Sequence, residues 1–113
     1  MRQAIVKKRG KKLFKASLAS SFSEKARGLM FSRKAFPILF EFSREGTWEN
    51  SIHSFFCPRF DAVFLDKQKR VVSVEKNIRP FRFFIVSEKP CKFLLELPPG
   101  WGGKFVKGEK IGF

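Results

Sequence analysis

Apolar and polar positions alternate over short stretches along most of this chain, with the two-residue period of strands. Ala4-Ile5-Val6, then Lys8-Arg9-Gly10-Lys11, then Leu13 to Leu18 reads as a strand, a turn placed by Gly10 and a second strand, a hairpin over about residues 4–19. One segment has helical spacing instead. Ser23 is a suitable N-cap, Glu24 lies in the first turn where the helix dipole favours an anion, and Ala26, Leu29 and Met30 form one stripe. This predicts one short helix near residues 23–30, with Gly28 limiting its length.

Ile38, Phe40 and Phe42 predict a strand whose preceding Pro37 suits a first position or an edge. Ile52 to Phe56 predicts a further short strand, and Phe60 to Leu65, apolar on both parities after Asp61, a central strand covered on both faces. Asp66 to Arg70 is the turn from which Val71 to Val74 pairs back. Phe81 to Val86 and Phe93 to Leu97 supply two more strands, punctuated by Pro80, Pro90 and Pro98-Pro99-Gly100. Strands this short and this frequent predict an all-β fold, a compact sandwich or barrel-like domain with the one helix.

At 113 residues the whole chain, 1–113, reads as a single domain. Its composition is 43% hydrophobic and 16% aromatic, which gives it the apolar surface that disordered chains lack. Sixteen Phe and no Tyr make those aromatics almost purely apolar. No apolar run is long enough to span a bilayer, and no apolar stretch follows the basic start as in a secretory signal, so a cytoplasmic protein without membrane association is expected. In that compartment Cys57 and Cys91 read as buried free thiols.

Charge sharpens the picture. Lys and Arg number 24 against 10 Asp and Glu, a net charge of +14. Residues 1–15 hold seven of those basic groups and no acid. The hairpin residues Lys7, Lys8, Arg9, Lys11 and Lys12 are therefore candidate phosphate contacts. Arg79 and Arg82, interleaved with aromatics in Arg79-Pro80-Phe81-Arg82-Phe83-Phe84, are further candidates, since exposed Phe stacks on bases. Read as a strand, however, that stretch puts Phe81, Phe83 and Ile85 on one face and Arg82, Phe84 and Val86 on the other, so at least one set is expected in the core.

Other chemistry is thinly represented. No Gly-rich loop leads into Lys and Ser/Thr, and no G-x-G-x-x-G opens a helix; Gly100-Trp101-Gly102-Gly103 reads as a plain loop after two prolines. His53 and Cys57 are four apart, about 13 Å on a strand, too far to share a metal ion. Neither a cofactor nor a metal is expected. Asp61 opens an apolar strand and Glu96 sits among leucines, where a charge needs solvent or a partner; Arg27, His53 and Arg79 are the candidate partners.

Six stretches in this order resemble the domain of unknown function 192 family of small prokaryotic proteins. They are Glu24-Lys25-Ala26-Arg27-Gly28-Leu29-Met30, Leu39-Phe40-Glu41-Phe42, His53-Ser54-Phe55-Phe56, Asp61 to Asp66 with Val71-Val72, Leu95-Glu96-Leu97-Pro98-Pro99-Gly100, and Lys107-Gly108-Glu109-Lys110-Ile111. The resemblance implies a mainly β sandwich or barrel-like fold with one short helix, and no established activity. It also implies that the family's recurrent polar positions fall on Arg27, His53, Asp61 and Glu96.

Three function classes follow. One is a nucleic-acid-binding domain with a basic N-terminal surface. Another is a small polar, sugar-like ligand module with a pocket near Arg27, His53, Asp61 and Glu96. An enzyme ranks last, for want of a nucleophile elbow, a second histidine or a cofactor signature.

Overall fold

A computed structural model describes residues 2–19 and 28–113, and every strand in it belongs to one mixed sheet. The strands are β1 (Arg2–Lys8), β2 (Lys11–Ala19), β3 (Ile38–Gly46), β4 (Phe60–Leu65), β5 (Val71–Ile78), β6 (Cys91–Leu97) and β7 (Ile111–Gly112). Across the sheet they run β5-β4-β6-β3-β2-β1-β7. All neighbours are antiparallel except β2 and β3, which are parallel and paired through Ser17 to Ala19 and Ile38 to Phe40.

The sheet curls into a half-barrel whose two ends meet. Arg70 bridges Lys110 beside the start of β5, the Val71 amide donates to the Glu109 carbonyl, and the Gly108 amide donates back to Val71. Side chains from both ends of the strand order therefore share one inner core: Val6 and Phe14 from the hairpin meet Val63, Leu95 and Val71, with Phe105 and Ile111 from the C-terminal stretch. A second core lies on the outer face of β3, β4 and β6. There Ile38, Phe40, Phe60, Phe64 and Leu94 are covered by Leu29, Cys57 and Ile85. No second sheet supplies that cover among the described residues; irregular segments do.

This two-sided burial explains β4. It is hydrogen-bonded to β5 and β6 along its edges and apolar on both faces, so all six residues are buried, as its unbroken apolar pattern predicts. Each such Phe or Leu contributes about 1.5–3 kcal/mol through burial. The hairpin also lies where it is expected, with Arg9 and Gly10 at its turn in left-handed backbone, φ 54° and 77°. Pro37 takes the first-position alternative: it precedes a strand with neighbours on both sides, and its carbonyl accepts the Ser17 amide at 2.9 Å.

Two predicted strands are absent. Residues 52–56 and 81–86 meet through a single bridge, Ile52 to Ile85, and otherwise form turns and irregular backbone. The physical reason is Ser54, which is fully buried between the two segments and takes up their polar groups. Its carbonyl accepts the Phe81 and Cys57 amides, its amide donates to Arg82, and its hydroxyl bonds the Arg79 carbonyl and the Arg82 amide. With those groups engaged, no ladder forms. The expected helix over 23–30 lies outside the described residues as far as position 27, and Gly28 to Met30 form a turn. Short 3-10 turns occur at Trp48–Asn50 and Trp101–Lys104.

Candidate functional site

At the hairpin tip Lys7, Arg9, Lys11 and Lys12 are all exposed. Lys8 is not free: its Nζ donates to the Lys104 carbonyl at 2.6 Å and pairs with Glu109 at 3.2 Å, tying the hairpin to the C-terminal stretch. Curling of the sheet brings Arg70 and Lys110 to the same place. Together with Arg9, Gly10 and Gly108 they line an open groove of about 550 Å³ whose one acid is Glu109. Because Glu109 is engaged by Lys8 and by the Val106 amide, the groove is cationic. Arg70 and Lys110 belong to this surface and were not singled out from sequence, since nothing in the spacing of positions 9, 70 and 110 says that they meet.

Arg79 and Arg82 lie elsewhere, on the segment crossing the outer face. Arg82 is ion-paired with Glu75, and Arg79 is exposed. Around them the expectation that one set of rings is buried fails. Phe81, Phe83 and Phe84 are 58%, 68% and 67% exposed, while Ile85 alone of that stretch reaches the core fully. A period-two pattern assigns faces only in a strand, and this segment is none.

These rings belong to a larger aromatic surface. Phe31 stacks on Phe56 at 5.3 Å, Phe56 meets Phe81 edge-on at 5.5 Å, and Phe55 meets Phe81 and Phe83 at 6.1 and 4.8 Å. Trp48 packs against Phe84 at 6.0 Å beside them. Phe31, Phe56 and Phe81 all hold left-handed backbone, with φ of 64°, 57° and 65°, a rare state for a bulky residue. The Phe31 amide donates to the Phe56 carbonyl and the Phe81 amide to Ser54, so the three segments are tied where their backbones are strained. Ser54, Phe31, Phe55, Phe56 and Trp48 were not read from the sequence as parts of a surface. One signal was available: residues 28–37, 51–59 and 79–87 contain Arg33, Lys34, Arg59, Arg79 and Arg82 and no acid.

The four polar positions are distributed as follows. His53 is exposed at the rim of the aromatic surface, its ring 5.2 Å from Phe55 and its Nδ1 accepting the Phe55 amide at 3.1 Å. Glu96 is buried on the outer face, opposite Ala62 of β4 and Ile38 of β3. Asp61 pairs with Leu97, one step along, so its side chain points to the inner face. Arg27 lies outside the described residues. Asp61 and Glu96 thus face opposite ways, and one concavity does not hold both.

Asp61 is fully occupied in shaping the chain. Its Oδ1 accepts the Asn77 amide at 2.8 Å, and its Oδ2 accepts the Gly100 and Gly102 amides at 2.9 and 2.8 Å. A Cβ on Gly102 would stand 2.9 Å from that oxygen, which is why the turn there needs glycine. Glu96 is the opposite case. Its Oε1 has no hydrogen-bond partner among the described residues, and burial pushes its carboxyl up from 4.5 to about 8. A Cβ on Gly28 would lie 3.4 Å from that oxygen, so Gly28 roofs it. Burial raises the nearby Cys57 thiol to about 11, with the Glu96 carboxyl adding to the effect; burial likewise raises Cys91 to about 11. Both cysteines are free and buried, as expected. Among the described residues no group of three His, Cys, Asp or Glu is placed to hold a metal ion.

The molecule thus presents a cationic groove at the hairpin tip, an exposed aromatic surface on the outer face and a buried carboxyl whose ionisation burial opposes. The DUF192 family model, described as an uncharacterized ACR family, matches residues 4–112. The chain is 34% identical over 84 residues to a UPF0127 protein of Pyrococcus horikoshii, covering 74% of this chain and 71% of that one. A UPF0127 protein of Pyrococcus abyssi is 33% identical over 87 residues, covering 76% and 73%. Two crystal structures share the fold. One is a protein of unknown function from Novosphingobium aromaticivorans, with a TM-score of 0.83 at 19% identity over 98% of this chain and 84% of that chain. The other is a candidate transcription regulator from Sinorhizobium meliloti, with a TM-score of 0.81 at 20% identity over 96% and 89%. The match over residues 4–112 and the archaeal relatives above 30% identity agree, and the chain belongs to the DUF192 (UPF0127) family of uncharacterised prokaryotic proteins.

Proposed function

We propose that this protein is a non-enzymatic binding domain that engages nucleic acid through its basic N-terminal surface. The observation that carries the reading is the groove at the hairpin tip, where Arg9 meets Arg70 and Lys110 and the one acid is neutralised by Lys8. Lys7, Lys11 and Lys12 extend that charge along the exposed hairpin. Such a surface neutralises phosphates and releases counterions, a driving force that needs no deep pocket. The name of the Sinorhizobium meliloti neighbour, a candidate transcription regulator, is compatible with this reading and belongs to that protein.

The test is a binding titration against labelled duplex DNA and single-stranded RNA between 50 and 200 mM salt, the range over which phosphate contacts lose affinity steeply, by about 10³ or more for six contacts or above. Replacing Lys7, Lys11 and Lys12 together by Gln is expected to flatten the slope of log K against log salt by about 0.7–0.9 per lost contact. An unchanged slope in the triple variant refutes the hairpin as the phosphate surface.

A second reading, a module for a small polar ligand, draws on one observation, the Oε1 of Glu96 under Gly28, which has no hydrogen-bond partner among the described residues. A buried carboxyl of this kind donates to or accepts from a polar ligand group that reaches it. Asp61 has no role in that version, because its oxygens are taken by backbone amides. Glu96→Gln abolishing binding in a sugar and polyol screen supports it, and a screen with no hits removes it.

A further inference from the structure

We propose that the aromatic surface on the outer face is a stacking platform for the unpaired bases of single-stranded nucleic acid. The inference rests on the nucleic-acid reading above and narrows it to a substrate class.

Phe31, Phe56, Phe81 and Phe83 expose more than half of their surface, yet their rings are held in contact at 4.8 to 6.1 Å by Phe55 and by one another. A contiguous apolar patch on a protein surface marks an interaction site when polar residues rim it. The three segments that build the patch carry five Arg and Lys residues and no acid of their own; Arg82 is paired with Glu75 of β5, and Arg33, Lys34, Arg59 and Arg79 are exposed, which favours an anionic partner over a second copy of the platform. Aromatic rings beside arginines are the combination that binds a nucleic-acid strand without regard to sequence, because every base has a π face and every nucleotide a phosphate.

The backbone supports the same conclusion. Three of the rings sit on residues in left-handed backbone, a strained state for phenylalanine that persists where surrounding contacts enforce it and that clusters at binding sites. The buried Ser54 carbonyl accepts the Phe81 amide and the Cys57 amide that follows Phe56, and the Phe56 carbonyl accepts the Phe31 amide. Phe31 lies stacked on Phe56 at 21°, while the other three contacts are edge-to-face at 61°, 83° and 78°, so neighbouring rings face different directions. Rings presented at different angles offer their faces to bases splayed from a flexible strand. A duplex, with its bases stacked inside, cannot use them. Lys15 of the hairpin lies on the same face of the sheet by register.

The experiment compares Kd for a labelled 12-nucleotide single strand and for its duplex, in the full chain and in two variants. Phe31→Gly with Phe81→Gly removes two rings while glycine keeps the left-handed backbone; Phe83→Ala removes one ring from an exposed position and serves if the first variant is poorly folded by circular dichroism. The wild-type chain is expected to prefer the single strand, and each lost ring to weaken single-strand binding about tenfold with duplex binding and salt slope unchanged. Trp48 emission, read in a Trp101→Phe background, is expected to be quenched by the single strand alone. Equal loss for single strand and duplex, or no loss, overturns the platform and leaves the phosphate reading standing. Absence of wild-type binding to either nucleic acid overturns both. Binding to phosphatidylserine vesicles that the same variants abolish, without a single-strand preference, overturns the platform in favour of a lipid surface.

Discussion

Glu96→Gln removes a proton-binding group while keeping its volume, and the buried environment sets the size of the effect. In the unfolded chain the carboxyl ionises near 4.5, whereas in the folded protein burial keeps it protonated up to about 8. Between those values the native state binds a proton that the unfolded state has released. Wild-type stability therefore falls as pH rises, by about 1.4 kcal/mol per pH unit, while below 4.5 the group has no effect. The total across the window is on the order of 5 kcal/mol, a large share of the roughly 5–15 kcal/mol of a typical domain. Glutamine carries no such dependence. At pH 5 the wild-type chain is expected to equal or exceed the variant, since the amide adds donors that lack partners. By pH 8 the order reverses and the variant is the more stable. Urea unfolding of both proteins at intervals from pH 5 to 8.5 measures the difference directly; the range stops there because Cys57 and Cys91, held up to about 11, add their own losses above 9. A wild-type minus variant difference that stays flat within 0.5 kcal/mol, well inside the roughly 1.4 kcal/mol per unit expected, refutes the neutral buried carboxyl. Flatness with wild type the more stable throughout means instead that the carboxylate is ionised in the folded protein and held by a cation, its gain being complete below the range, with Arg27 one of the partners the sequence suggests.

Other expectations follow from single contacts. Ser54→Ala strips the hydroxyl that joins the Arg79 carbonyl and the Arg82 amide, and is expected to cost about 1–3 kcal/mol in urea unfolding and to raise Trp48 quenching by iodide. Gly102→Ala places a methyl 2.9 Å from Asp61 Oδ2, so the turn must shift and lose amide bonds to that oxygen; a loss of about 2 kcal/mol or more is expected, and no loss would show that the turn accommodates the methyl freely.

The strands were legible wherever a residue's partner choice was settled locally. The hairpin announced itself through Gly10 between two alternating runs, and β4 through an apolar stretch that only a doubly covered strand can bury. The segments 52–56 and 81–86 were misread because their composition is that of strands, while their hydrogen bonds go to Ser54, a small residue with no pattern of its own. Exposure of Phe81, Phe83 and Phe84 was invisible for the same reason, since face assignment presupposed a ladder. Asp61 and Glu96 were each recognisable as costly charges in apolar surroundings. That they point to opposite faces depends on the pairing of Asp61 with Leu97 and Ala62 with Glu96, a long-range register that spacing along the chain does not encode.

The meeting of the sheet's two ends makes the cationic groove a product of closure. Arg9 sits on the hairpin turn, Arg70 on the turn before β5 and Lys110 just before β7, and they share a surface only once the Val71, Gly108 and Glu109 backbone bonds have formed. An anion that bridges these cations binds the closed form and not an opened one, and so stabilises the seam by mass action in proportion to its occupancy. Ligand concentration and the integrity of the seam are then two readings of one equilibrium: an anion bound at the hairpin tip is expected to slow amide exchange at Val71, which does not line the groove, as well as at Gly108 and Ile111, which do.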